Sequence, residues 1–230
     1  MFQGVKLGII SDIHGNLRAM NSILNVFNEY KIEKIFCLGD NIGYYHQSLE
    51  ILDLIKKNKI FSIMGNHEAY LVGYLSCPAK KWNKIFLEKI KKNISREDLK
   101  LISNCPICYE TIIHDKKLAF FHGSPWGPLE EYIYPNSDKI NKFKDLEWDY
   151  IFLGHTHIPM YKKINNINII NPGSCGQSRD HDPRASAVII DIFKNEMLFI
   201  KENYEIQLTI KEAIECGVSD EAIKVLKGDY

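Results

Sequence analysis

Short apolar runs alternate along this chain with stretches whose apolar positions recur every three or four residues, and polar residues close nearly every run. Val5-Lys6-Leu7-Gly8-Ile9-Ile10 has the density of a buried strand. Met20, Ile23, Leu24 and Phe27 behind it have the period of an amphipathic helix that Asn16 can cap. Lys34 to Leu38 is a second strand, Ser48 to Lys57 a second helix through Leu49, Leu52 and Ile55, and Ile60 to Met64 a third strand. A strand, a helix and a strand in this order imply a parallel βαβ unit.

Lys80 to Asn93 is helical by the stripe Trp82, Ile85, Phe86 and Ile90, and Ser95-Arg96-Glu97-Asp98 resembles a capping box for a short helix carrying Leu99 and Ile102. Cys108 to Ile113 and Leu118 to Phe121 form a hairpin across His114-Asp115-Lys116-Lys117. After the buried run Tyr150 to Leu153, Met160 to Ile164 and Ile167 to Ile170 pair by turning at Asn165-Asn166. Alternating strands follow at Ala185 to Phe193 and Glu196 to Lys201, then helices at Thr209 to Ile214 and Ser219 to Leu226. No repeat, low-complexity tract or linker breaks the pattern. Residues 1–230 therefore form one domain, with 209–230 as a C-terminal helical extension packed on it.

The polar residues at the strand ends carry the chemistry. Leu153-Gly154-His155-Thr156-His157 places two imidazoles one residue apart, and in extended backbone positions i and i+2 share a side. Neutral imidazole is the commonest metal ligand, and two leave a metal's shell unfilled. Asp12-Ile13-His14 repeats the spacing, and Gly39-Asp40, Gly65-Asn66-His67-Glu68 and His122-Gly123 close three further strands. Each alone is a common turn. Their recurrence at strand ends, where open α/β sheets bind ligands, points to one site. The segment Gly123 to Pro135, with Trp126, Tyr132 and Tyr134, suits either the wall of a substrate cleft or the cover of a core edge.

Composition narrows the function. With 230 residues, 45% hydrophobic and 25% charged, the chain can bury one sizeable core. Lys+Arg 29 cancels Asp+Glu 29, so nothing general attracts nucleic acid or a membrane surface. No apolar run reaches the roughly 18 residues of a membrane span, and Met1-Phe2-Gln3-Gly4 leads into a strand rather than a signal peptide. A cytoplasmic protein is expected, and self-association is compatible with it. Six scattered cysteines do not make a disulfide framework, and Cys105-Pro106-Ile107-Cys108 lacks the second half of a zinc site. Of four arginines against 25 lysines, Arg179 and Arg184 share one glycine-rich loop. The guanidinium fork suits a phosphate, or equally a salt bridge to Asp180 or Asp182.

Taken together, Asp12-x-His14, Gly39-Asp40, Gly65-Asn66-His67-Glu68, His122-Gly123 and Gly154-His155-x-His157 resemble the calcineurin-like metallophosphoesterase superfamily. The Gly39 to Tyr44 turn, the Asn171 to Gln177 loop and Asp182-Pro183-Arg184-Ala185-Ser186 look like its small bacterial and archaeal branch of predicted phosphodiesterases and phosphatases. The resemblance covers the chain to about residue 200 and implies an α+β fold. That fold is a four-layer αββα sandwich of two mixed sheets flanked by helices.

By the same resemblance, Asp12, His14, Asp40 and His157 would hold one divalent metal, and Asn66, His122, His155 and the bridging Asp40 a second. Mn stands first among the ions, with Fe, Mg, Zn and Ni as alternatives. The implied reaction is in-line attack of a metal-bridging hydroxide on a small phosphodiester or phosphomonoester, with His67 as general acid. Arg179, Arg184 and His46 are the candidate substrate contacts. Ser/Thr protein phosphatases carry Gly-Asp-x-x-Asp-Arg-Gly, whereas this chain has Gly39-Asp40-Asn41-Ile42-Gly43-Tyr44-Tyr45. A phosphoprotein substrate is thus the lesser alternative, as are a noncatalytic scaffold of the same fold and a nuclease.

Overall fold

A computed structural model describes residues 6–78 and 81–229, with side chains omitted for residues 81–86. In chain order the elements are β1 (Lys6–Ile10), α1 (Leu17–Glu29), β2 (Lys34–Cys37), α2 (Ser48–Lys57), β3 (Phe61–Ser62), α3 (Asn66–Val72), α4 (Lys81–Asn93) and α5 (Arg96–Ser103). They continue with β4 (Cys108–Ile113), β5 (Lys116–Phe121), a 3-10 helix (Asp138–Asp145), β6 (Tyr150–Phe152), β7 (Pro159–Ile164), β8 (Ile167–Pro172), β9 (Ala185–Asp191), β10 (Glu196–Glu202), α6 (Ile206–Glu215) and α7 (Asp220–Leu226). The expected strand residue Val5 and the side chains of the stripe residues Trp82, Ile85 and Phe86 lie outside what is described.

Two mixed sheets run in the orders β10-β9-β1-β2-β3 and β4-β5-β6-β8-β7. Each has a parallel centre, β1-β2-β3 in one and β5-β6-β8 in the other, with antiparallel strands at its margin. Alternation along the strands divides the core. Leu7, Ile9, Phe36, Val188 and Ile190 face Leu118, Phe120, Tyr150, Phe152 and Ile170 between the sheets. There Phe36 stacks on Phe120 with centroids 4.6 Å apart. On the outer face of the first sheet, Ile10, Cys37, Ala187 and Ile189 meet Met20, Ile23 and Phe27 of α1. Gly8 is what admits Phe27, since a Cβ there would lie 2.6 Å from its ring.

The αββα sandwich is thus borne out, with one difference. The second sheet is covered by the 3-10 helix and the segment before it, through Ile133, Ile140 and Phe143, rather than by an α-helix. Its apolar pair sits three residues apart, which is the 3-10 period. Several predicted boundaries also move, two of them for reasons the hydrogen bonds and turns show. β3 shortens because Met64 turns its N–H to Pro106 O (2.8 Å) instead of the neighbouring strand. The β4–β5 turn takes only His114 and Asp115, both with positive φ (49° and 59°), so Lys116 and Lys117 pair with Ile113 and Ile112. Among the described residues, no helix is long and apolar enough to cross a membrane.

Candidate metal centre

The first loops leave the strand ends in an unusual backbone. Asp12, His14, Asp40, His155 and His157 all have positive φ, between 52° and 65°. The i, i+2 pairs therefore converge by left-handed turns after β1 and β6 have ended, not by strand alternation as expected. Asp and His tolerate that region better than most residues, but each still costs on the order of 1 kcal/mol. The loops hold one another in place. Asp12 N–H donates to Gly39 O (3.0 Å), His14 N–H to Asp40 O (2.9 Å), and His155 N–H to the Asp12 carboxylate across the sheets (3.0 Å).

Backbone carbonyls set the imidazole tautomers. A carbonyl only accepts, so His14 Nδ1 facing Ile42 O (3.2 Å), His157 Nδ1 facing Gln177 O (2.6 Å) and His122 Nδ1 facing Leu38 O (2.8 Å) each carry the proton. In a neutral ring this leaves every Nε2 as a lone pair. Burial favours the neutral form of both His14 and His157, holding His14 well under the ordinary imidazole range and His157 under it. The lone pairs nonetheless point at one another and at acceptors. His14 Nε2 lies 3.2 Å from His157 Nε2, which lies 3.2 Å from Asp12 Oδ1. His122 Nε2 lies 2.9 Å from Asn66 Oδ1 and 3.1 Å from His155 Nδ1.

Acceptors gathered like this repel unless a cation sits among them. Asp12 Oδ1 and His155 Nε2 are buried with no hydrogen-bond partner. Among the described residues three groups form, Asp12-His14-His157, Asp40-His122-His155 and, linking them through His14 and Asp40, His14-Asp40-His67. Asp40 Oδ2 lies 3.6 Å from His14 Nε2 and 3.5 Å from His122 Nε2, between them. Burial and the charges of Glu68 and Asp12 push the Asp40 carboxyl up, while positive charge at His157, His122 and His14 would outweigh burial and pull the Asp12 carboxyl down. Two buried carboxylates side by side share one proton when positive charge is lacking. Burial also pushes the Cys37 and Cys175 thiols up, so neither competes as a thiolate. Oxygen and imidazole donors in this geometry fit divalent metal ions.

His67 lies beside this cluster, on α3. Its N–H donates to Asp40 Oδ1 (2.9 Å), and its ring packs 4.7 Å from His14 and 5.1 Å from Tyr44. The loop closes on its Nδ1 at Gly43, φ 118°, where a Cβ would lie 2.1 Å from that nitrogen. Arg179 also reaches the cluster. Its guanidinium donates to Tyr44 OH (3.2 Å) and Gln177 Oε1 (2.9 Å), and its charge adds to burial in depressing His14, His67, His155 and His157.

Arg184 instead forks onto Asp182, with Nη2 2.6 Å and Nε 2.9 Å from its oxygens, which is the salt-bridge alternative for this residue. Of the two arginines, Arg179 is the one that stands beside the cluster. His46 turns away from the cluster too, toward Glu212 (4.0 Å), at a cavity of about 650 Å³ shared with Tyr44, Lys89, Val218 and Glu221.

Several working residues lie in motifs noted from sequence but had no role assigned to them there. Glu68, fully buried, accepts N–H groups from Asp40 (2.8 Å), Asn41 (2.8 Å), Ile42 (3.3 Å) and Gly65 (2.9 Å), clamping the β2 loop to the start of α3. Asn171 donates to Gly154 O (2.7 Å) and Thr156 Oγ1 (3.0 Å), shaping the turn that carries His155 and His157. Ser174 donates to Asp12 O (2.6 Å). Their sequence signal was a polar loop after a buried strand, and only the partners reveal the roles.

The model of the calcineurin-like phosphoesterase superfamily domain matches residues 5–195. A protein of Methanocaldococcus jannaschii described as uncharacterized is 34% identical over 227 residues, spanning 91% of this chain and 92% of that one. A phosphodiesterase of the same organism is 26% identical over 171 residues, covering 74% of this chain and 84% of the relative. The crystal structure of a metallophosphoesterase from Sphaerobacter thermophilus superposes with a TM-score of 0.84 at 27% identity, covering 99% of this chain and all of that one. With the fold, the clustered histidines and carboxylates and a family match across most of its length, the chain belongs to the calcineurin-like phosphoesterase superfamily.

Proposed function

We propose that the chain is a dinuclear metal-dependent phosphoesterase that hydrolyses a small phosphodiester or phosphomonoester. The observation that carries this is the convergence of imidazole lone pairs and carboxylate oxygens, with Asp40 Oδ2 between His14 and His122. Asp12, His14, Asp40 and His157 would hold one cation, and Asn66, His122, His155 and Asp40 the other, with Mn first among the candidates. Bound there, two dications would lower the pKa of water and neutralise charge on the phosphate oxygens.

Hydrolysis forms a P–O bond to water oxygen, breaks the bond to the ester oxygen in line with it, and returns a proton to that leaving oxygen. His67 is assigned to deliver the proton. Burial and the neighbouring His122 and His157 depress its pKa to about 3, so the acid role requires the substrate's negative charge to raise it. Arg179, held by Tyr44 and Gln177, is assigned to the phosphate. The test is a side-by-side assay of a nitrophenyl diester, a nitrophenyl monoester and a phosphopeptide, with metal counted per chain. Two metals and turnover of a nitrophenyl ester are expected. A single metal, or turnover undiminished by exhaustive chelation, would remove the dinuclear reading, and preference for the phosphopeptide would replace it with a protein phosphatase.

A further inference from the structure

Beside the metal cluster stands a file of aromatic rings that phosphoester hydrolysis by itself does not need. Tyr132 stacks on His155 with centroids 3.9 Å apart and planes at 25°, and Tyr134 stacks on Tyr132 at 5.6 Å and 6°. Both tyrosines are exposed, at 40% and 44%. Exposed aromatics normally sit on mobile loops, but this one is anchored from beneath. Leu129 and Ile133 are buried on either side of Tyr132 in sequence, and Glu131 is held by Ser124 Oγ, by Lys139 (2.8 Å) and by its own N–H on Gly127 O (3.2 Å). Across the cluster, Tyr44 packs edge-on to His14 (4.6 Å) with the Arg179 guanidinium 5.9 Å over its ring.

A phosphate at the cluster thus has an ordered aromatic platform on the His155 side and a cation beside it. A planar, electron-poor heterocycle is the chemistry that gains most from stacking on tyrosine, whereas an alkyl or sugar arm gains little. Building on the phosphoesterase reading, we propose that the substrate is a nucleotide ester whose base stacks on the Tyr132–Tyr134 platform while its phosphate occupies the metal cluster.

The test compares two esters that differ only in the base, adenosine 5′-(methyl phosphate) and ribose 5-(methyl phosphate), on Mn-loaded protein, with a nitrophenyl diester as reference. Wild type should favour the nucleotide by about 5- to 100-fold in kcat/KM, mainly through KM. Tyr134→Ala should collapse that ratio and Tyr134→Phe should preserve it, because stacking needs the ring and not the hydroxyl. Equal turnover of the two esters by wild type would overturn the base subsite. So would a ratio unchanged in Tyr134→Ala, and a concurrent change in oligomeric state would assign the platform to contact between chains. Failure of all three substrates, the nitrophenyl diester included, would instead strike the phosphoesterase reading, and this proposal would fall with it.

Discussion

At the residue scale, the proposed dinuclear centre turns on Asp40, whose Oδ2 lies between His14 and His122. An amide oxygen bridges two cations poorly, so Asp40→Asn is expected to lose at least one of the two metals and nearly all turnover. Metal analysis beside kinetics checks this, and two retained metals with near wild-type activity would remove Asp40 from the bridging position. His67 separates from the ligands by leaving group. Nitrophenolate departs unprotonated, whereas an alkoxide needs a proton, so His67→Gln should cut hydrolysis of alkyl or nucleoside esters by roughly 10²- to 10⁴-fold and spare nitrophenyl esters. Equal losses for both, with metal intact, would mean that His67 braces the loop and delivers no proton. Arg179→Lys keeps the charge but loses the fork, and a raised KM on a folded protein is expected. The histidines and carboxylates were all visible in sequence, because few other residue types do this chemistry. Their backbone was not. Positive φ at Asp12, His14, Asp40, His155 and His157 comes from hydrogen bonds between loops distant in the chain, such as His14 N to Asp40 O.

At the scale of elements, α3 shows why periodicity fails where burial is complete. Asn66, His67, Glu68, Ala69, Tyr70 and Leu71 are all buried, so the helix has no polar face for a pattern to mark. Its Glu68 is a positioning residue through four backbone N–H groups. Glu68→Gln would set an amide N–H₂ against donors, and metal affinity is expected to fall about 10- to 100-fold while far-UV circular dichroism is kept. A second tie joins α2 to α5. Burial would raise the Asp98 carboxyl, but hydrogen bonds from Lys56 Nζ (2.7 Å) and Ser95 Oγ (2.6 Å) hold it below 3.8. With the folded-state pKa below the unfolded one, this stabilisation is complete above the unfolded value and disappears as pH falls through the folded one. Asp98→Asn should therefore cost about 1 to 2 kcal/mol near neutrality. Urea midpoints for wild type and variant should converge as the pH drops below the ordinary carboxylate range, and a constant gap would deny the charge its role.

At the scale of the whole molecule, the parallel centres of two sheets bring six strand ends to one place, and the native state alone assembles the cluster. Cations that bind only the folded chain stabilise it by mass action, so chelated protein should melt lower than Mn-loaded protein, with Tm rising as Mn is added. A Tm indifferent to Mn would argue against a site built by the fold. The sequence alone determined most of the strands and helices and the chemical types at the strand ends, because strand and helix periods and metal-ligand chemistry are local properties of residues, while the two mixed sheets were legible only through the family resemblance. Tertiary structure decided what depends on distant partners. It set the tautomers through the carbonyls of Ile42, Leu38 and Gln177, sent Arg179 to the cluster and Arg184 to Asp182, and turned His46 away. Two arginines five positions apart are equivalent until the fold gives each a neighbour, since a guanidinium takes whichever acceptor the packing brings nearest.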